Sequence, residues 1–111
     1  MWGFLKRDPD PREITNTDAA AVYGHDDAVF VDVRERDEWA AGHIPGAVHI
    51  PLGELARRKN ELSRDQQVIA LCRSGRRSLD AVDILTAAGF PDVKSMAGGM
   101  IEWSRSGRPV E

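Results

Sequence analysis

Apolar residues occur along the chain in short, nearly continuous runs. The longest run covers residues 28–33, four-residue segments lie at 47–50 and 68–71, and a last four-residue segment at 93–96 contains two polar residues. A continuous run, unlike an alternating one, is typical of a strand that is buried on both faces of a parallel sheet. These runs predict four strands, and Ile14 predicts a further short strand near the start of the chain.

Helical patterns occupy the segments between these predicted strands. We expect Thr17 to cap the first helix and Trp39 to anchor the second in the core. Gly89 is expected to end the fourth helix in a left-handed conformation, with Phe90 folding back on Leu85. The predicted helices cover residues 17–23, 35–41, 52–62, 79–88 and 100–106.

Strands that alternate with helices predict an α/β fold, with a mainly parallel sheet flanked by helices. We expect one domain over residues 13–111, preceded by an N-terminal arm over residues 1–12. The apolar side chains Trp2 and Phe4 of this arm are expected to pack on the domain. In folds of this class, functional side chains collect at the carboxyl ends of the strands.

Composition narrows the classes of function. The net charge of −3 gives no general attraction to nucleic acid, and no apolar stretch reaches the roughly 20 residues of a membrane span. The single cysteine excludes an internal disulfide, a Cys-x-x-Cys redox pair and a multi-cysteine zinc site within one chain. His25, His43 and His49 lack the spacing of metal ligands, so we expect no metal and no other cofactor. A cytoplasmic location is the default expectation.

The single cysteine, Cys72, lies between the apolar run at 68–71 and the clearest helical pattern. Positive charge and a helix N-terminus both lower the pKa of a thiol, and a glycine lets several backbone N–H groups point inward around an anion. We interpret this loop as an active site in which sulfur attacks an anionic substrate. The alternative is a thiol that is simply buried as a small apolar side chain. The loop continues after the cysteine as Arg73, Ser74, Gly75, Arg76 and Arg77.

Two further polar positions lie close to predicted strands. Asp32 interrupts the run at 28–33, and a buried carboxylate needs a partner, for which Arg34 is the nearest candidate. His43 stands beside a Pro-Gly turn, where we expect it to make structural hydrogen bonds rather than to transfer protons.

Several motifs of this chain, in the same order, resemble those of rhodanese domains. The resemblance runs from about Ile14 to Val110. The motifs are Asp32-Val33-Arg34-Glu35, Glu38-Trp39, Gly42-His43-Ile44-Pro45-Gly46-Ala47, Ile50-Pro51-Leu52, Cys72-Arg73-Ser74-Gly75-Arg76-Arg77-Ser78, Gly89-Phe90, Val93, Gly98-Gly99, Trp103 and Gly107-Arg108-Pro109-Val110.

The resemblance implies a rhodanese-like three-layer fold with a five-stranded, mainly parallel sheet flanked by helices. It implies a sulfurtransferase in which Cys72 takes the outer sulfur of an anionic donor such as thiosulfate and becomes a persulfide. Cyanide or a thiol then removes this sulfur, and a protein persulfide is a further candidate partner. The backbone amides of residues 73–77 would hold the persulfide and the three arginines would attract the donor, while Asp32 and Arg34 would support the loop. A monomer or a weak homodimer is expected.

Loop length separates this activity from its alternatives. Related phosphatases and arsenate reductases of the same fold have a loop one residue longer, and cysteine phosphatases place an arginine six positions after the cysteine. Here Ser78 occupies that position and Arg77 lies one residue short of it. A catalytically silent rhodanese module, used for binding or regulation, is the third alternative. Such modules often lack the cysteine that this chain retains.

Overall fold

The computed structural model describes residues 10–111, so the predicted packing of Trp2 and Phe4 falls outside the described residues. The strands are β1 (Glu13–Ile14), β2 (Ala28–Asp32), β3 (Val48–His49), β4 (Gln67–Leu71) and β5 (Val93–Met96). The α-helices are α1 (Asn16–Val22), α2 (Arg36–Ala40), α3 (Leu52–Arg58), α4 (Arg77–Ala87) and α5 (Gly99–Arg105), and a 3₁₀ turn at Lys59–Glu61 follows α3.

The five strands form one sheet in the order β1-β5-β4-β2-β3, and every neighbouring pair is parallel. This confirms the predicted α/β fold with a parallel sheet. The register of β2 and β4 pairs Asp32 with Leu71, so the carboxyl ends of these two strands lie side by side. The residues that follow them therefore share one edge of the sheet.

Alternate residues of β4 point to opposite sides of the sheet and bury separate cores. Val68, Ala70 and the adjoining Cys72 belong to a core that is packed against α3 and α4. Ile69 and Leu71 belong to the other core, which is packed against α1 and α5. Burial on both faces explains why the strand appears in the sequence as a continuous apolar run.

The N-terminus of α1 differs from the prediction. Thr15 is the N-cap, and its Oγ1 accepts a hydrogen bond of 3.0 Å from the backbone N–H of Asp18. Thr17, the predicted cap, is instead the second residue of the helix. The reason is tertiary, because Asn16 is buried in the first turn and its amide donates to the carbonyls of Ala97 and Gly99.

Trp39 is not the predicted core anchor, since α2 buries no residue completely. Its indole is half-buried and stacks with two imidazoles, with ring centroids 3.7 Å from His43 and 4.7 Å from His49. His43 Nδ1 donates to the carbonyl of Trp39 at 2.9 Å, which confirms the predicted structural role of His43. A five-residue helix at the rim has too little length to bury a full apolar face.

The ends of α3 and α4 show one correction and one confirmation. The predicted helix at 52–62 stops as an α-helix at Arg58 and tightens into the 3₁₀ turn before Leu62, which is buried. Gly89 follows α4 with a φ of 91°, as predicted, and Phe90 is buried with its N–H donating to the carbonyl of Leu85. No helix within residues 10–111 is long and apolar enough to cross a membrane.

Candidate active site

Cys72 directly follows β4, at the carboxyl edge of the sheet where functional groups are expected. Only 1% of the residue is exposed, and its side chain joins the core on the α4 side. A thiol so far removed from water depends on its hydrogen bonds for any stabilisation of the charged form.

Two backbone N–H groups and one hydroxyl form hydrogen bonds with the sulfur of Cys72. The backbone N–H of Gly75 lies 3.2 Å from Sγ, and that of Ser78 lies 3.4 Å away. The hydroxyl Oγ of Ser78 is 3.5 Å from the same sulfur. Gly75 has a φ of 101°, a conformation that disfavours a side chain, and Ser78 contributes one of the free amides of the first turn of α4. The loop therefore wraps its N–H groups around one atom, as the sequence predicted.

Burial is the largest single influence on Cys72 and by itself would raise the pKa of the thiol. Hydrogen bonds from the hydroxyl and amide of Ser78 and from the amides of Gly75 and Ser74 act in the opposite direction. Together they lower the pKa of Cys72 below its usual value. The sequence predicted that arginine charge and the helix N-terminus would lower this pKa, and in the structure the causes that lower it are these hydrogen bonds. The set of amides also reaches one residue beyond the predicted range of 73–77.

Ser78 and Ser95 form a buried pair of hydroxyls behind the sulfur. Their Oγ atoms are 2.6 Å apart, and both residues are fully buried. Ser95 lies on β5, the neighbour of β4 in the sheet. Sequence reasoning assigned neither hydroxyl a role. The available signal was a serine within the strand predicted at residues 93–96, since a hydroxyl that becomes buried in a sheet needs a hydrogen-bond partner.

Arg77 is tied to α2 rather than to the sulfur. Its Nη1 and Nη2 donate to the two carboxylate oxygens of Glu38 at 2.6 and 2.9 Å. These bonds from Arg77 lower the pKa of Glu38 to about 2, and the same bonds raise the pKa of Arg77. The pair fixes the beginning of α4 against α2.

Arg73 and Arg76, the other two loop arginines, are exposed. Neither guanidinium group makes a hydrogen bond or ion pair with any residue of the described range 10–111. They line two separate surface pockets. Arg73 lines a pocket beside α5, and Arg76 lines one that it shares with Arg77 and Arg12. Both guanidinium groups are therefore available to an anion that approaches the loop.

Asp32 and Arg34 form the predicted pair, and it is buried. Arg34 Nη2 donates to Asp32 Oδ2 at 2.8 Å and Nε donates to both carboxylate oxygens at 3.0 Å. The same guanidinium also donates to the carbonyl of Gly42 at 2.8 Å. The pair joins the end of β2 to the segment after α2 and makes no hydrogen bond with the Cys72 sulfur.

The first turn of α5 holds the carbonyl side of the active-site loop. Met100 N–H donates to the carbonyl of Cys72 at 2.9 Å, and Ile101 N–H donates to that of Arg73 at 3.1 Å. Gly99 has a φ of 54°, and any side chain there would collide with the carbonyl of Cys72. Within residues 10–111 there is no group of three or more His, Cys, Asp or Glu side chains that could hold a metal ion.

Comparison with known proteins gives a consistent family match. The model of the rhodanese-like domain family matches residues 15–106. The putative sulfur carrier protein YrkF of Bacillus subtilis is 45% identical over 75 residues, which are 68% of this chain but only 40% of that protein. A sulfurtransferase of Allochromatium vinosum is 38% identical over 85 residues, 77% of this chain and 79% of the relative. The chain thus spans less than half the length of YrkF and most of the Allochromatium protein.

Solved structures agree with the sequence relatives. A rhodanese-related protein from Thermoplasma volcanium superposes with a TM-score of 0.82 at 31% identity, covering 90% of this chain and 97% of the other. A protein of unknown function from Rhodopseudomonas palustris, described as a possible tyrosine phosphatase, has a TM-score of 0.82 at 27% identity, covering 90% and 84% of the two chains.

Proposed function

Because the chain belongs to the rhodanese-like domain family, we propose that it is a sulfurtransferase that carries sulfane sulfur on Cys72. The observation that carries this proposal is the buried Sγ of Cys72 with N–H groups of Gly75 and Ser78 directed at it. A sulfur atom with several hydrogen-bond donors around it is stabilised as an anion. The relatives named sulfurtransferases support the same activity.

The first step loads the enzyme. The Cys72 thiolate attacks the outer sulfur of an anionic donor such as thiosulfate, forming a new S–S bond. The S–S bond of the donor breaks, and its electron pair leaves with sulfite. Arg73 and Arg76, exposed and unpaired within residues 10–111, attract the dianionic donor. This is covalent catalysis by an activated thiol, which divides the transfer into two displacements.

The second step unloads the enzyme. Cyanide or a thiolate attacks the outer sulfur of the Cys72 persulfide and forms a bond to it. The bond between the outer sulfur and Sγ breaks, and its electron pair returns to Sγ as the thiolate. The amides of Gly75 and Ser78 and the hydroxyl of Ser78 stabilise this anion in the buried site.

Phosphoryl transfer is the second candidate, favoured by the description of the Rhodopseudomonas neighbour. Two features of the loop oppose it. Arg77, the residue nearest to the phosphatase position, has its guanidinium occupied by both carboxylate oxygens of Glu38. Ser78, which stands at that position, has its hydroxyl hydrogen-bonded to the Cys72 sulfur and carries no charge with which to bind a phosphoryl group.

Incubation with thiosulfate followed by intact-mass measurement tests the proposal. We expect the wild type to gain the mass of one sulfur atom and to lose it on addition of cyanide, whereas the matched variant Cys72→Ala gains none. A wild type without the added sulfur, or an equal gain in the variant, contradicts the persulfide mechanism and leaves a binding or regulatory module.

Hydrolysis of an aryl phosphate tests the second candidate. We expect the wild type to hydrolyse the aryl phosphate no faster than the Cys72→Ala variant does. Hydrolysis that depends on Cys72 and exceeds sulfur transfer would replace sulfurtransferase by phosphatase.

A further inference from the structure

Ser95 occupies a buried position of β5 that otherwise suits an apolar side chain. It pairs with Ala70 of β4, so its side chain lies on the same face of the sheet as those of Ala70 and Cys72. Val93, two residues earlier in β5, belongs to the apolar core on this face. A fully buried hydroxyl in such surroundings costs free energy unless it has a hydrogen-bond partner. Packing alone therefore does not account for a serine at this position.

The hydrogen bond of the Ser95 hydroxyl leads to the reactive sulfur. Its Oγ is 2.6 Å from Oγ of Ser78, and it makes no other hydrogen bond within residues 10–111. Oγ of Ser78 in turn is 3.5 Å from Sγ of Cys72. The three side chains form a row from β5 through the start of α4 to the sulfur, and each residue is at most 1% exposed.

Only one direction of hydrogen bonding along this row uses both hydroxyl hydrogens. When Ser95 donates to Ser78 and Ser78 donates to sulfur, both hydroxyls are paired and the sulfur accepts, which suits an anion. In the reverse direction, S–H donates to Ser78 and Ser78 donates to Ser95, whose own hydrogen then has no acceptor in the described part of the chain. A buried donor without an acceptor is unfavourable. The row therefore favours a negatively charged sulfur on Cys72.

We propose that Ser95 is a positioning residue that directs the hydroxyl of Ser78 at the sulfur of Cys72 whenever that sulfur is negatively charged. Ser95 acts through Ser78, because donation to the oxygen of Ser78 polarises the O–H bond that points at sulfur. The catalytic part of this role rests on the proposed sulfurtransferase function. When cyanide attacks the outer sulfur of the persulfide, thiocyanate forms, the S–S bond breaks and its electron pair returns to Sγ. This new anion accepts the hydrogen bond from Ser78.

The pH profile of Cys72 alkylation by iodoacetamide in Ser95→Ala, followed by intact mass, is the first test. At pH 7 the rate should fall about threefold, because the loss of one neutral hydrogen bond weakens the donor to sulfur. The rates of wild type and variant should converge at alkaline pH, where both thiols are ionised. Ser78 keeps the sulfur as its partner in this variant, so the urea midpoint of unfolding should stay close to that of the wild type.

Val93→Ala is the matched control on the same face of β5. Val93 is buried but pairs with Val68, four residues before Cys72, so it lies away from the row of hydroxyls. Its truncation should lower stability by leaving a cavity and should not change the pH profile. The pKa of Arg77 is raised mainly by Glu38 and to a smaller extent by the charge of Cys72, and all these variants leave that guanidinium in place.

The double variant Ser78→Ala/Ser95→Ala tests whether Ser95 acts through Ser78. Its alkylation profile should equal that of Ser78→Ala alone, since the residue that transmits the effect is gone. A wild-type profile in Ser95→Ala overturns the proposal. So does a further threefold loss when Ser95→Ala is added to Ser78→Ala, or an equal shift in Val93→Ala.

Sulfur transfer separates this proposal from the proposed function. After loading with thiosulfate, Ser95→Ala should release its sulfur to cyanide about threefold more slowly than the wild type, as measured by intact mass. Loading and release at wild-type rates, with an unchanged alkylation profile, overturn the role of Ser95 alone. The expected shift in alkylation without any loading of the wild type removes the sulfurtransferase function and supports Ser95 as the residue that orients Ser78.

Discussion

The hydroxyl of Ser78 gives the thiol of Cys72 a hydrogen-bond partner in either charge state. In the thiol form, S–H donates to Ser78 Oγ across 3.5 Å. In the thiolate form, Ser78 must donate to sulfur, and its oxygen then accepts from Ser95 at 2.6 Å. Both serines are fully buried, so water does not compete with this chain of hydroxyls. Ser95 is thus a positioning residue that acts through Ser78.

Ser78→Ala should slow the reaction of Cys72 at neutral pH. Loss of a hydrogen bond to a charged group costs about 1.5 kcal/mol or more, so the alkylation rate at pH 7 should fall about tenfold. The rates of wild type and variant should converge at alkaline pH, where both thiols are ionised. The measurement is the pH profile of alkylation by iodoacetamide, followed by intact mass.

Ser106→Ala is the control for this experiment, because Ser106 is exposed at the end of α5. Its pH profile should match that of the wild type. An unchanged profile in Ser78→Ala would show that the hydroxyl does not stabilise the thiolate.

At the scale of elements, the short helix α2 is held to the beginning of α4 by Glu38 and Arg77. Both side chains are partly exposed, at 25% and 34%, so solvent screening limits the pair to about 1 kcal/mol. Glu38 also caps its own helix by accepting from the N–H of Glu35. Because Ser78 follows Arg77 in the first turn of α4, the pair also positions the amide of Ser78.

Glu38→Gln should lower the free energy of unfolding by about 1 kcal/mol at pH 7. Because the pKa of Glu38 is lowered to about 2 by Arg77, its contribution is fully present above the unfolded pKa of about 4.3 and is lost as pH falls through the folded pKa. The difference between wild type and variant should therefore close as the pH falls from about 4.3 towards 2. Urea unfolding at several pH values measures it.

Asp37→Asn on the same helix is the control, since Asp37 is exposed and has no ion pair among residues 10–111. Its effect should stay within about 0.5 kcal/mol. A difference for Glu38→Gln that persists unchanged below the folded pKa would rule out the ion pair as its cause.

The turn between β5 and α5 sets the position of the active-site loop through Gly99. Gly99→Ala should destabilise the protein by about 3 kcal/mol, because left-handed strain adds to the collision with the carbonyl of Cys72. It should also change the alkylation profile of Cys72. Gly107→Ala, which has a similar positive φ but open space around it, should cost only about 1 kcal/mol and leave the profile unchanged.

Urea unfolding measures the loss of stability in the two variants, and iodoacetamide alkylation measures the reactivity of Cys72 in each. Equal losses of stability in Gly99→Ala and Gly107→Ala would mean that the close approach to the loop has no energetic consequence.

Much of this architecture could be predicted from local sequence. Continuous apolar runs identified β2 and β4 as buried parallel strands, and Gly89 marked the end of α4. The cap of α1 and the place of Trp39 could not be predicted, because each depends on distant partners. Asn16 is buried because its side chain donates to the carbonyls of Ala97 and Gly99. The Trp39 indole stacks with imidazoles that come from two other segments.

The candidate site was predictable to the extent that it is contiguous. Cys72, Gly75 and the helix that follows them lie within one stretch of sequence, so a thiol in a loop before a helix N-terminus could be predicted from it. The contact of Ser78 with Ser95 requires β5 to lie next to β4, and the strand order does not follow from the pattern of apolar runs. For the same reason, the capture of Arg77 by Glu38 was not foreseen.

For the whole molecule, charge is unevenly distributed around the active-site loop. The chain carries a net charge of −3, yet the exposed guanidinium groups of Arg73 and Arg76 flank the loop without partners in the described range. Local positive charge on an acidic protein draws small anions to one place, and salt weakens that attraction.

Iodoacetate and iodoacetamide, which differ by one charge, should therefore respond differently to salt at Cys72. Raising the ionic strength from about 0.01 to about 1 M shortens the Debye length about tenfold, so the iodoacetate rate should fall about threefold relative to iodoacetamide. The double variant Arg73→Gln/Arg76→Gln should lose this dependence. The double variant Arg57→Gln/Arg105→Gln alters net charge equally at exposed arginines outside the loop and should keep it. Equal salt dependence in the two double variants would mean that anions respond to total charge, in which case these two arginines would not select the donor.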